Sequence, residues 1–231
     1  MVIRNQVASL IYRILLLALG TATLAILGIQ DSVISPFNTF RNYTSLLTLC
    51  STILVLIEVI VNAISLKRGI HRMAAGVYPA ITFVCLSLEL GLMFGHSLYC
   101  FFTNASFFGT QMDLAYTLLS IVLFPIAYFF DWLCFGEKGT LKKLHLISVT
   151  SLPILYYLFS YLNHLIRGEA YSYATAVFDP KTFANNAILN GNDGWNGVVT
   201  ACFSLLTIYV LSATLLLLLS SLLAGKIAHK H

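Results

Sequence analysis

The sequence predicts an all-α fold: a polytopic membrane protein, a six-transmembrane-helix bundle with both termini cytoplasmic. Three observations carry that expectation. The first is composition, since 58% of the 231 residues are hydrophobic and 10% charged, with a mean hydropathy of +0.86. Soluble domains are about half apolar and about a quarter charged, so a soluble fold is excluded. The 16 Phe and 12 Tyr also exclude a disordered chain. The second is the presence of six apolar stretches near the ~20 residues that a helix needs to cross the hydrocarbon core. The third is the one-sided placement of Lys and Arg, which reads the net charge of +4 as a topology signal and not as a nucleic-acid footprint.

The spans run over 8–29, 43–66, 80–102, 112–135, 145–166 and 196–224, within a single transmembrane domain covering 1–231. In the first, Arg4 and Arg13 precede the run Ile14 to Ile29, which is long for a signal-peptide core and lacks a small-x-small cleavage site, so it is a span. The second carries Thr44, Thr48, Ser51, Glu58, Asn62 and Ser65 at alternating three- and four-residue steps, with Val55 in the one gap, which makes a continuous polar stripe. The third aligns Thr82, Cys85, Glu89 and His96, and its Gly91 and Gly95 form a GxxxG that permits close helix approach. The fourth aligns Asp113, Thr117, Ser120 and Asp131; the fifth, Tyr156, Ser160, Asn163 and Arg167; the sixth, Thr200, Ser204, Thr207 and Thr214. Together these stripes predict a bundle that closes around a partly polar interior. Between spans five and six, Asp179-Pro180, Asn185-Asn186 and the run Asn190 to Gly194 are turn chemistry, so 167–195 is an outer capping loop.

Arg4, Arg13, Lys67, Arg68, Arg72, Lys138, Lys142, Lys143, Lys226 and Lys230 fall on one side of the alternating spans, leaving Arg41, Arg167 and Lys181 on the other. This places the termini in the cytoplasm and the chain in the cell membrane. Trp132 and Trp195, at opposite span ends, read as interfacial anchors. The five cysteines, Cys50, Cys85, Cys100, Cys134 and Cys202, lack CxxC spacing and read as small buried hydrophobes. No cofactor or metal is expected, and no GxSxG, HExxH or Walker loop occurs.

The intramembrane polar residues that stand out are Glu58, Asn62, Glu89 and Asp131, because a carboxylate at membrane depth costs a few kcal/mol and calls for a partner or a role. For Glu58 and Glu89 the expectation is either a protonated carboxyl or a bond to Asn62, to Arg13 or to each other through a shared proton. His96 and His164 lie in the outer halves of spans three and five.

Pro125-Ile126-Ala127-Tyr128-Phe129-Phe130-Asp131-Trp132-Leu133-Cys134-Phe135-Gly136-Glu137-Lys138-Gly139 resembles the P-x5-D-W-L-x-F-x-x-K-G signature of a bacterial six-span family called Pr-six-Pr. Leu152-Pro153-Ile154-Leu155-Tyr156 is similar to that family's Pro-x-x-Tyr in span five, and Phe37 to Leu47 to its Phe-Thr-Asn-Leu-Ser-Asn segment opening span two. That family is distantly similar to the androgen-induced membrane proteins, which hydrolyse fatty acid esters of hydroxy fatty acids with a Thr nucleophile and a His. The resemblance implies Thr39 as nucleophile. The relatives' His precedes the span-four Pro by four or five residues, where this chain has Ile121 or Ser120.

Three functions therefore stand open. The first is intramembrane hydrolysis of fatty acyl esters by Thr39 with His96 or His164, with Asn42, Ser120 or Arg167 binding substrate or the oxyanion. The second is a non-catalytic scaffold that binds a lipid, an acyl-chain ligand or a partner. The third is a proton-coupled transporter using Glu58 and Glu89.

Overall fold

In a computed structural model, residues 5–30, 43–69, 79–103, 114–115, 117–167 and 194–228 are described. Among them six helices are long and apolar enough to cross a membrane. They are α1 (Gln6–Gln30), α2 (Tyr43–Lys67), α3 (Pro79–Thr103), α4 (Phe124–Phe135, entered through a π-helical segment, Thr117–Leu123), α5 (His145–Arg167) and α6 (Gly194–Ala228). The protein is thus an all-helical, multi-pass membrane protein, and each helix begins or ends within a few residues of its expected span.

Local chemistry explains the boundaries. α1 starts earlier than its apolar run because the Asn5 side chain caps it, accepting the Val7 and Ala8 amides at 3.0 and 3.1 Å. α2 stops where Gly69, at φ 63°, takes the left-handed conformation that ends helices. The π-helical segment ends against Pro125, which has no amide to offer the carbonyl four residues back. A wider turn ahead of it accommodates that missing donor.

The helices alternate in direction. Asn62, near the end of α2, donates to the Gln6 carbonyl at the start of α1. Phe83 and His145, both early in their helices, have ring centroids 6.2 Å apart. The Gly139 amide donates to Ser220, late in α6. The starts of α1, α3 and α5 therefore share one end of the bundle, here the near end, with the closes of α2, α4 and α6; the opposite end is the far end. α1 packs chiefly on α2, and α3 chiefly on α6.

The second pairing rests on the GxxxG. A methyl group at Gly91 would sit 2.2 Å from the Tyr209 ring, and one at Gly95 would sit 3.3 Å from Leu205. The exterior is apolar, with Ile166, Phe203, Leu15 and Leu215 each more than 60% exposed, and the charged side chains Arg13, Glu58, Glu89 and Asp131 are inside. That inversion suits a lipid solvent.

Candidate functional site

α1, α2 and α4 bring three charges together near the near end. The Arg13 Nε lies 3.1 and 3.4 Å from the two Asp131 oxygens and 3.3 Å from Glu58 Oε2. All three residues are buried, Arg13 at 1% exposure. Arg13 is therefore an interior ion partner and not a charge at the membrane surface, so the topology count of ten cations on that side becomes nine. One cation against two carboxylates leaves the cluster rich in acceptors, and the Tyr12 hydroxyl closes its rim by donating to the Ala127 carbonyl at 2.8 Å.

Beyond the cluster, toward the far end, Ser51 donates to Glu89 Oε1 at 2.9 Å, and Glu89 is fully buried. The α2 stripe falls as its spacing predicts as far as Asn62, since Thr44, Thr48, Ser51, Val55, Glu58 and Asn62 are all buried, while Ser65 at its end is half-buried. The residue that the spacing did not single out is Tyr128. It comes from α4, is completely buried, and lies close enough to Glu58, Asp131 and Glu89 to feel all three charges. Its signal was present in the sequence, one turn ahead of Asp131 on the same face. In the far half, Tyr43 packs against Tyr156 and Tyr209, with ring centroids 5.0 and 6.4 Å apart.

The span-four motif is consumed by structure. Asp131 holds Arg13. Trp132 is 4% exposed, so it is a buried platform and not an interfacial anchor. Lys138 Nζ stands 3.7 Å above its ring and donates to the Trp132 and Gly136 carbonyls at the close of α4. Burial there pushes the Lys138 ammonium down to about 8. Gly139 adopts φ 81°, with the Ala224 methyl 2.9 Å from where its own Cβ would be.

The expected hydrolytic residues are brought together only in part. Thr39 and Asn42 lie outside the described residues, as does nearly all of the capping loop; Arg167 closes α5. Ser120 is fully buried in the π-helical segment, which packs against α3. At about 1.5 Å of rise per residue, His96 and Ser120 stand at similar depths, roughly 25 and 22 Å from the near ends of their helices, and His164 stands a little farther out, at roughly 28 Å. His96 Nε2 lies 3.5 Å from Cys100 Sγ, one turn on. The sequence reading passed over that i, i+4 pair because it treated the cysteines as bulk hydrophobes.

Two other expectations change. The α6 stripe does not face the interior: Thr207 is exposed, Thr200, Ser204 and Thr214 are half-buried, and all four hydroxyls donate to the carbonyl four residues back on their own helix. A lipid-facing groove of about 510 Å³ lies along this part of α6, lined by Val199, Thr200, Phe203 and Ser204. Cys50 is exposed on α2 and not buried, although Cys85 and Cys100 are. Among the described residues no three His, Cys, Asp or Glu side chains gather to hold a metal ion.

The chain matches no family model, no curated protein and no solved structure.

Proposed function

We propose that this protein resides in the cell membrane with both termini cytoplasmic and hydrolyses fatty acyl esters at a site in the outer half of the bundle. The orientation is supported by the nine Lys and Arg that remain on the near side once Arg13 is set inside, against three on the far side. The hydrolytic reading rests on one observation. The position that carries the His in the androgen-induced proteins falls here within a π-helical segment that turns Ser120 fully inward, at the depth of His96. π-Helical turns inside α-helices concentrate at functional sites.

In this reading Thr39, four positions before α2, attacks the ester carbonyl, and His96 takes its proton. Ser120 and Asn42 donate to the oxyanion. The ester bond breaks as His96 returns the proton to the leaving alcohol, and water, deprotonated by the same His96, then cleaves the acyl-Thr39 ester, so the products are an alcohol and a free fatty acid, with membrane lipid as the source of substrate. Purified protein is incubated with a panel of acyl esters, including esters of hydroxy fatty acids, and released acid is measured by mass spectrometry. Thr39→Ala and His96→Ala abolish release, whereas His164→Ala retains it. Release that survives both Thr39→Ala and His96→Ala refutes the assignment.

The same segment supports a second reading, a scaffold that binds an acyl chain without turning it over, since neither Ile121 nor Ser120, where the relatives' His would fall, is a base. Copurifying acyl lipid with no acid release in the wild type selects it.

A further inference from the structure

Four of the buried side-chain atoms without a hydrogen-bond partner among the described residues are Thr48 Oγ1, Glu89 Oε2, the Tyr128 hydroxyl and Asn62 Oδ1. Every one belongs to a residue with 0% exposure. On α2, Thr48 and Asn62 lie about 21 Å apart along the stripe at 1.5 Å per residue, which is most of the ~30 Å hydrocarbon core. Val55 interrupts the polar groups of that stripe between Ser51 and Glu58, and from α4 the buried Tyr128 hydroxyl lies within electrostatic range of Glu58, Asp131 and Glu89.

Unpartnered oxygens inside an apolar bundle are a costly arrangement if dry, because no lipid can bond them. The ligand must donate to the carboxylate oxygen of Glu89 and also accept from the Tyr128 and Thr48 hydroxyls. Water does both, and buried polar sites are where internal waters sit. The surroundings of Glu89 favour this over an ion pair. Ser51 of α2 donates to it, and within its electrostatic range lie Cys50 and Tyr43 of α2, Cys85 on its own helix, Tyr128 of α4 and Tyr209 of α6, with no cation among them.

We infer that internal water joins Glu89 through Tyr128 to the Arg13, Glu58 and Asp131 cluster, and that this file relays protons across the bundle. The carriers are Glu89 at mid-membrane and the carboxylates of the cluster. Each water or hydroxyl between them passes on one proton as it receives another, so none is left charged. Chains of carboxylates inside membranes commonly serve this purpose. The relay is independent of the ester hydrolysis proposed above, which uses Thr39 and His96.

Full-length protein is reconstituted in liposomes carrying an internal pH dye, and a potassium diffusion potential set with valinomycin drives protons inward. Wild-type vesicles acidify faster than protein-free vesicles, Glu89→Gln removes the excess, and Tyr128→Phe removes most of it. Flux no faster than in empty vesicles, or Tyr128→Phe flux equal to wild type, overturns the relay. The isosteric Tyr128→Phe change also carries a readout apart from flux. A dry, unpartnered hydroxyl is relieved by its removal, so melting rises, whereas a hydroxyl bonded to water is lost at a cost, so melting falls. A rise in melting overturns the internal water.

Discussion

Replacing Arg13 with Met, which keeps most of the volume and removes the charge, tests the ion cluster most directly. The guanidinium sits 3.1 Å from Asp131 and 3.3 Å from Glu58, with every partner at most 5% exposed. Removing it leaves two carboxylates buried beside each other without a cation. Breaking a buried pair from one side costs about 3–5 kcal/mol, a large share of the 5–15 kcal/mol that holds a typical domain together. Asp131→Asn is different in kind. It keeps an oxygen where Arg13 donates and leaves one cation with one anion, so the loss is that of a charged hydrogen bond weakened to a neutral one, about 1–2 kcal/mol. The triple change Arg13→Met, Glu58→Met, Asp131→Leu removes all three charges, and such apolar replacements are often neutral or stabilising. The expected order of stability is therefore wild type close to the triple variant, then Asp131→Asn, then Arg13→Met. Reversible unfolding in mixed micelles, followed by helical circular dichroism, reads that order. Arg13→Met unfolding no more easily than Asp131→Asn would show that the cation does not balance both carboxylates.

Gly91→Ala forces a methyl group to within 2.2 Å of the Tyr209 ring and loses about 1–3 kcal/mol by overpacking, while Gly95→Ala, 3.3 Å from a flexible Leu205 methyl, loses under about 1 kcal/mol in the same assay. Gly69→Ala and Gly139→Ala both pay the left-handed penalty of roughly 1–2 kcal/mol, but only Gly139 also meets a neighbour, the Ala224 methyl, so it is the more damaging of the two. Ser51→Ala strips Glu89 of its bond and destabilises by about 1–3 kcal/mol, whereas Thr207→Val on the lipid face stays within about 0.5 kcal/mol. Lys138 titrates near 8 in the folded chain and at 10.5 in the unfolded one. Between those values the unfolded state holds the extra proton, so stability rises with pH across the window. Melting of the wild type, measured against Lys138→Met, should therefore climb from about 8 to 10.5; a flat difference refutes the burial of that amine.

How much of this was legible depended on how local the determinant was. The spans and the α2 stripe were readable because helical periodicity and apolar length are properties of one segment, and Thr48, Ser51, Val55, Glu58 and Asn62 are all buried as the spacing requires. The α6 stripe has the same kind of periodicity and faces lipid. Its hydroxyls bond their own backbone, which satisfies them without any partner helix. Periodicity shows that residues share a face but not which way that face points. Arg13 carried two readings, a surface cation in the topology count and a partner for a buried carboxylate, and the approach of α2 and α4 selects the second. Tyr128 was missed because a tyrosine in an apolar span reads as bulk, until the packing of the helices buries its hydroxyl completely.

The span-four motif bears on how far resemblance can carry function. Its Pro meets the π-helical segment, its Asp pairs with Arg13, its Trp lies beneath the Lys that caps the helix, and its Gly turns the chain against Ala224. Each position is used for architecture, so a chain that keeps this motif keeps the bundle whether or not it keeps any chemistry. The motif can then be shared between hydrolase, scaffold and relay alike. Activity has to be argued from positions that the architecture does not need. Ser120 is the sharpest of these. A His introduced there, Ser120→His, would stand about one helical turn before Pro125, at the depth of His96 and in a segment already turned inward. If acyl-ester hydrolysis requires a base at that depth, Ser120→His raises fatty acid release above wild type, and Thr39→Ala abolishes the gain. A variant that folds and binds acyl lipid but releases no more acid than wild type would place the missing element elsewhere than the base.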